Sequence, residues 1–150
     1  MPSVGALHMM CLNRLDRRIR PHCAEPSICF THGSIRLPNE WVPDPDLFVV
    51  RDFTIRGKLL AGLPDFVAEV GVTTLEHDLE EKQADYAKFG IPECWVVDPA
   101  GGKIHVFRDP RPDGTWAETF VAAGQDEVSP RAVPGAKVVV ADIVPEPENP

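Results

Sequence analysis

Apolar and polar positions along this chain follow two periods, one helical and one alternating. Leu7, Met10, Cys11, Leu15 and Ile19 recur at helical spacing with Arg14, Arg17 and Arg18 elsewhere on the surface, which predicts a helix from Leu7 to Ile19 that ends before Pro21. "SICF" and "LFVV" read as strands; the prolines of "WVPDPD" lie ahead of the second, where they break no ladder, and Asp46 stands at its mouth. "DFVAEV" is a further strand, joined to "LFVV" through "IRGKLLAGLP", which reads as a glycine-containing loop, so the two strands are expected as antiparallel neighbours. Thr73 or Thr74 is placed to N-cap a helix that stops at Gly90, with Pro92 just beyond. "ECWVVDP" reads as a buried strand, "AGG" as a turn and "KIHVF" as its hairpin partner; "TWAETFV" and "AKVVVADIV" complete the β content, and the tail "PEPENP" is expected to be disordered.

The order helix, strands, helix, strands predicts an α/β (α+β) sheet with helices packed on it, and a length of 150 residues suits a single domain over 1–143 followed by a disordered tail at 144–150. No internal repeat is visible. No long apolar run offers a membrane span, and Met, Cys, Asn and Asp interrupt the N-terminal segment where a secretory signal needs continuity, so a cytoplasmic protein is expected. The four cysteines show no framework spacing, and no disulfide is assigned. The formal charge is −8, with the acid concentrated after the first strands. That balance argues against nonspecific binding to polyanions, although carboxylates gathered for a divalent cation also make a chain acidic.

The strand "DFVAEV" carries two acids. Alternation puts Asp65, Val67 and Glu69 on one face and Phe66, Ala68 and Val70 on the other. At roughly 3.3 Å per residue, Asp65 and Glu69 stand about 13 Å apart, beyond the joint reach of one metal ion. A second ligand beside Glu69 must come from another strand, and Asp46 is the candidate if "LFVV" and "DFVAEV" pair. Two carboxylates on adjacent strands, with water and a phosphate oxygen, suit Mg²⁺ or Mn²⁺.

In the following helix Leu75, Leu79, Lys82, Tyr86 and Phe89 form one continuous face, which Lys82 interrupts. An inward lysine must reach the rim or meet an acid, because an unpaired buried ammonium is very costly. Glu69 and Asp46 are the acids in reach. The helix's other charges, Glu76, Asp78, Glu80, Glu81, Asp85 and Lys88, are read as a solvated face without a catalytic role. A metal held by two carboxylates with a lysine beside it is the apparatus of phosphodiester hydrolysis.

The segments "PDPDLFVV", "PDFVAEV", "DLEEKQADYAKFGIPECWVVDP" and "KIHVF", in that order, resemble the Uma2-like family of the PD-(D/E)xK restriction-endonuclease-like superfamily over roughly positions 8 to 143. The resemblance implies a restriction-endonuclease-like mixed β-sheet flanked by helices, and a Mg²⁺- or Mn²⁺-dependent endonuclease acting on DNA. It implies Asp46 and Glu69 as metal ligands and Lys82 as the superfamily lysine, with Asp65, which matches the second "PD", in a supporting or turn role. In many relatives the lysine lies two residues after the acid; here that position is Gly71, so the helix must supply it. "GVTT" replaces the usual continuation after Glu69, and nothing matches the acidic N-terminal hairpin common among relatives, so a shortened N terminus is expected. The expected partners are nucleic acid and a second copy of the chain in a homodimer, with no membrane.

Blander readings stand beside these. Asp46 suits a Pro-Asp turn, and Glu69 and Lys82 suit a structural ion pair, which would make the chain a non-catalytic binding or regulatory module of the same fold. "HMMC" and "CFTH" hint at zinc, but Cys29 and His32 fall on opposite faces of a strand, which argues against a site with His8 and Cys11. Arg14, Arg17, Arg18 and Arg20 read as a solvated helix face. No GxSxG, phosphate-cradling glycine loop or HExxH is present.

Overall fold

The helical period of the first segment is realised as α1, Val4–Ile19, in a computed structural model that describes residues 4–145. Its stripe of Cys11, Leu12, Leu15 and Ile19 is fully buried. The chain continues through β1 (Ile28–Thr31), β2 (Ile35–Arg36), β3 (Leu47–Val50), β4 (Phe53–Arg56), β5 (Leu59–Gly62) and β6 (Phe66–Val70). A composite helix follows: α2 (Leu75–His77), a π turn over Asp78–Lys82, and α3 (Gln83–Lys88). Then come β7 (Glu93–Asp98), β8 (Lys103–Pro110), β9 (Trp116–Ala123), β10 (Glu127–Val128), β11 (Val138–Val139) and α4 (Val140–Ile143).

The main sheet has the order β1-β3-β6-β7-β8-β9. β6 and β7 are parallel, as expected of strands joined by a helical crossover, and the other pairs are antiparallel. The expected pairing of "LFVV" with "DFVAEV" is present, with Leu47 opposite Ala68. All five residues of β6 are buried, because α1 and α4 cover one face and the composite helix covers part of the other. Phe66, Ala68 and Val70 pack with α1; Val67 packs with Tyr86 and Ala87.

Two expectations are corrected. "IRGKLLAGLP" is not a loop but belongs largely to the β4–β5 hairpin, which turns at Gly57–Lys58 and joins β2 in a small three-stranded sheet. "AKVVVADIV" contributes only the two residues of β11 before becoming α4. Its β-branched run favours a strand, but Val138, Val140 and Ile143 are buried beside the α1 core and tertiary packing overrides propensity. The tail segment "PEPENP" falls almost wholly outside the described residues. The four cysteines are free thiols. No helix among the described residues is long and apolar enough to cross a membrane.

Candidate active site

Continuing the antiparallel register one step beyond Leu47 and Ala68 sets Asp46 opposite Glu69. Asp46 Oδ2 accepts the backbone N–H of Val70 at 2.7 Å, which ties the mouth of β3 to the end of β6. Glu69, on the helix side of β6, is almost completely buried. Its Oε1 accepts the Tyr86 hydroxyl at 2.6 Å and its Oε2 lies 3.2 Å from the Lys82 ammonium. Asp46, Glu69 and Lys82 therefore border one open cleft of about 330 Å³, together with His8 and Thr74.

Lys82 reaches Glu69 from the helix because the strand side has no room for a side chain. A Cβ on Gly71 would lie 2.9 Å from Leu75 Cα and 3.2 Å from Asp78 Oδ2. The helix occupies the volume that a side chain two residues after Glu69 would need.

Asp78 corrects the sequence reading. It is buried, not solvated: Oδ2 accepts the Thr74 hydroxyl at 2.9 Å, and Oδ1 has no hydrogen-bond partner, with the Lys82 ammonium 4.0 Å away. Asp78 lies four residues before Lys82, as Lys82 lies four before Tyr86, so all three face the end of β6, along a helix whose Asp78–Lys82 segment is a π turn. The repeated four-residue spacing of an acid, a base and a tyrosine was the available signal.

The electrostatics follow from burial. Burial pushes the Glu69 carboxyl up to about 8; Lys82 and the Tyr86 hydrogen bond oppose this, while Asp46 and Asp78 reinforce it. Burial likewise raises Asp78. For Lys82 burial works to lower the pKa, but Glu69 and Asp78 outweigh it and hold the ammonium above its usual range. Burial, reinforced by Glu69, drives the Tyr86 hydroxyl well above the normal tyrosine range, so it serves as a hydrogen-bond donor.

His8 enters this cleft from α1, with Nε2 3.2 Å from Asp46 Oδ2. The other members of the zinc hint lie elsewhere: Cys11 is in the core and Cys29 Sγ faces Asp16 at 3.7 Å. Among the described residues no three His, Cys, Asp or Glu side chains are grouped to hold a metal by themselves. Asp65 is not brought to the cleft. It precedes β6 at the end opposite Glu69, donates its N–H to Val49 O at 2.8 Å, and borders a different hollow with Arg51, Glu93 and Arg131. Arg18 and Arg20 pair with Asp142 and Asp16.

Comparison with known proteins adds two findings. The Uma2 family model, described as "Putative restriction endonuclease", matches residues 1–141. Among solved structures, the crystal structure of a "putative nuclease belonging to DUF820" from Anabaena variabilis superposes with a TM-score of 0.70 at 17% identity, covering 95% of this chain and 82% of that one. The likeness shows a shared, restriction-endonuclease-like fold. No curated protein matches the chain.

Proposed function

The chain belongs to the Uma2 family, and from that premise we propose that it is a divalent-metal-dependent endonuclease that hydrolyses DNA phosphodiesters at the Asp46–Glu69–Lys82 cleft. The family makes nucleic acid the substrate class. The observation that carries the finer reading is the convergence of two carboxylates from adjacent strands and one lysine on a single open cleft.

The cleft fits a hard divalent cation. Asp46, Glu69 and Asp78 face one ammonium, and Asp78 Oδ1 is buried without a hydrogen bond. Such a site is short of positive charge. Asp46 and Glu69 would hold Mg²⁺ or Mn²⁺, which commonly bind one or two carboxylates and keep several waters. A bound divalent ion lowers the pKa of an attacking water and neutralises phosphate charge. The chain's own groups prepare the rest. Tyr86 fixes the rotation of Glu69, and Asp78 and Glu69 keep Lys82 charged at the rim, where it can stabilise charge developing on the phosphate. The α1 N terminus also borders the cleft through Gly5, and its first turn carries no acid, which favours an anion there.

A second reading, a non-catalytic binding module, is favoured by the way Tyr86 and Lys82 already occupy both oxygens of Glu69. Calorimetric titration of Mn²⁺ into the protein and into Glu69→Gln, with plasmid cleavage on the same samples, separates the two. Binding and cleavage in the parent, both lost in the variant, support the nuclease. A parent that neither binds nor cleaves supports the module.

A further inference from the structure

α1 contributes a polar side chain to the cleft that neither the carboxylates nor the lysine account for. His8 lies on the same helical face as the buried Leu12 and Leu15, so core packing fixes the helix that carries it. Its Nε2 is 3.2 Å from Asp46 Oδ2, the oxygen that also accepts the Val70 N–H at 2.7 Å. Among the described residues no hydrogen bond reaches Asp46 Oδ1. The Val70 N–H thus donates to one carboxylate oxygen while the His8 ring, carried by a different element, closes on that same oxygen.

That constraint matters because Asp46 stands one residue ahead of β3 in the turn-forming "PDPD" segment, where the His32 N–H bonded to its carbonyl holds the backbone but leaves the carboxylate to be oriented by other groups. We propose that His8 is a positioning residue for Asp46: its Nε2–H, acting with the Val70 N–H, holds Oδ2 and leaves Oδ1 as the oxygen available to a divalent cation. The inference rests on the metal-dependent reading above and extends it from β3 and β6 to α1. Donation from Nε2–H is available to the neutral Nε2–H tautomer and to the imidazolium alike, so the role requires no change of charge. Partners of this kind orient a metal ligand through one hydrogen bond, and their loss typically weakens metal affinity roughly 10- to 100-fold.

The test is calorimetric titration of Mn²⁺ alone into the parent, His8→Leu and His8→Gln, with a urea midpoint recorded for each. Glutamine places an amide N–H near the position of Nε2; leucine fills the space without a donor. The expected result is affinity weakened roughly 10- to 100-fold in His8→Leu and kept within about threefold of the parent in His8→Gln. If His8→Leu does not fold, His8→Ala, which leaves the buried stripe of α1 intact, takes its place under the same expectation. Parent-like affinity in the donor-free variant, or an equal loss in His8→Gln, overturns the role of His8 alone. A parent that binds no Mn²⁺ overturns the metal-dependent reading and the positioning role with it.

Discussion

Replacing Glu69 by glutamine should change how the stability of the folded chain depends on pH. Burial raises the Glu69 carboxyl from 4.5 to about 8, so the folded chain binds this proton more tightly than the unfolded chain does. The stabilisation that the bound proton provides is fully present below the unfolded value of 4.5 and is lost as pH rises through about 8. A tenfold change in proton affinity corresponds to roughly 1.4 kcal/mol, so the full span is of order 5 kcal/mol, a large part of the roughly 5–15 kcal/mol that holds a typical domain together. Urea unfolding of the parent from pH 5 to 9 should therefore show a falling contribution that Glu69→Gln lacks, since the amide keeps hydrogen-bonding groups for Tyr86 and Lys82 but cannot ionise. Asp78 is also raised by burial and acts with the same sign, so the difference between parent and variant isolates Glu69. Saturating Mn²⁺ should reduce the fall in the parent by favouring the ionised form. Parallel stability curves for parent and variant between pH 5 and 8 would show that burial of an ionised Glu69 is not penalised, and the electrostatic account of the cleft would fail.

Gly71→Ala should lower stability by roughly 1–3 kcal/mol, read from the urea midpoint, because the new Cβ meets Leu75 Cα at 2.9 Å. Cleavage in that variant should fall as well, since displacing Leu75 shifts the helix that also carries Lys82. Asp65→Asn should leave Mn²⁺ affinity at the parent value, as Asp65 borders a hollow at the other end of β6; a loss measured by calorimetry would show that the two ends are coupled. Glu93→Ala should cost roughly 3–5 kcal/mol in urea unfolding, because the buried Glu93 accepts hydrogen bonds from Trp95 Nε1, Arg108 Nε and the Arg131 backbone, and these would lose their shared acceptor.

The neighbourhood of Asp46 and Glu69 was legible in the sequence because alternation leaves little freedom. Once "DFVAEV" is a strand, Glu69 must face away from Phe66 and Ala68, and antiparallel pairing with "LFVV" brings Asp46 beside it. Lys82 was legible for an energetic reason: an ammonium on an apolar stripe needs an acid. Asp78 was hidden among the other acids of the same helix, Glu76, Glu80, Glu81 and Asp85, although its place three residues after Leu75 and four before Lys82 puts it beside the stripe. His8 was hidden differently. Its partner lies on a distant strand, and a lone histidine beside "MMC" points as readily to zinc as to a carboxylate. The β4–β5 hairpin was hidden by short strands with partly exposed faces, whose alternation is weak.

Gly71 connects the geometry of the site to its chemistry. A lysine at that position would project from the strand carrying the acid, and its orientation would be set by the sheet. With glycine there, the helix closes onto β6, and the cation arrives on a side chain anchored between Glu69 and Asp78. Asp78 is the second buried acid beside that ammonium, and its position against Gly71 requires the small residue in turn. Glycine just after the strand, aspartate in the first turns of the helix and lysine four residues later are thus one coupled solution: a side chain at Gly71 would displace the helix, and removing Asp78 would loosen Lys82.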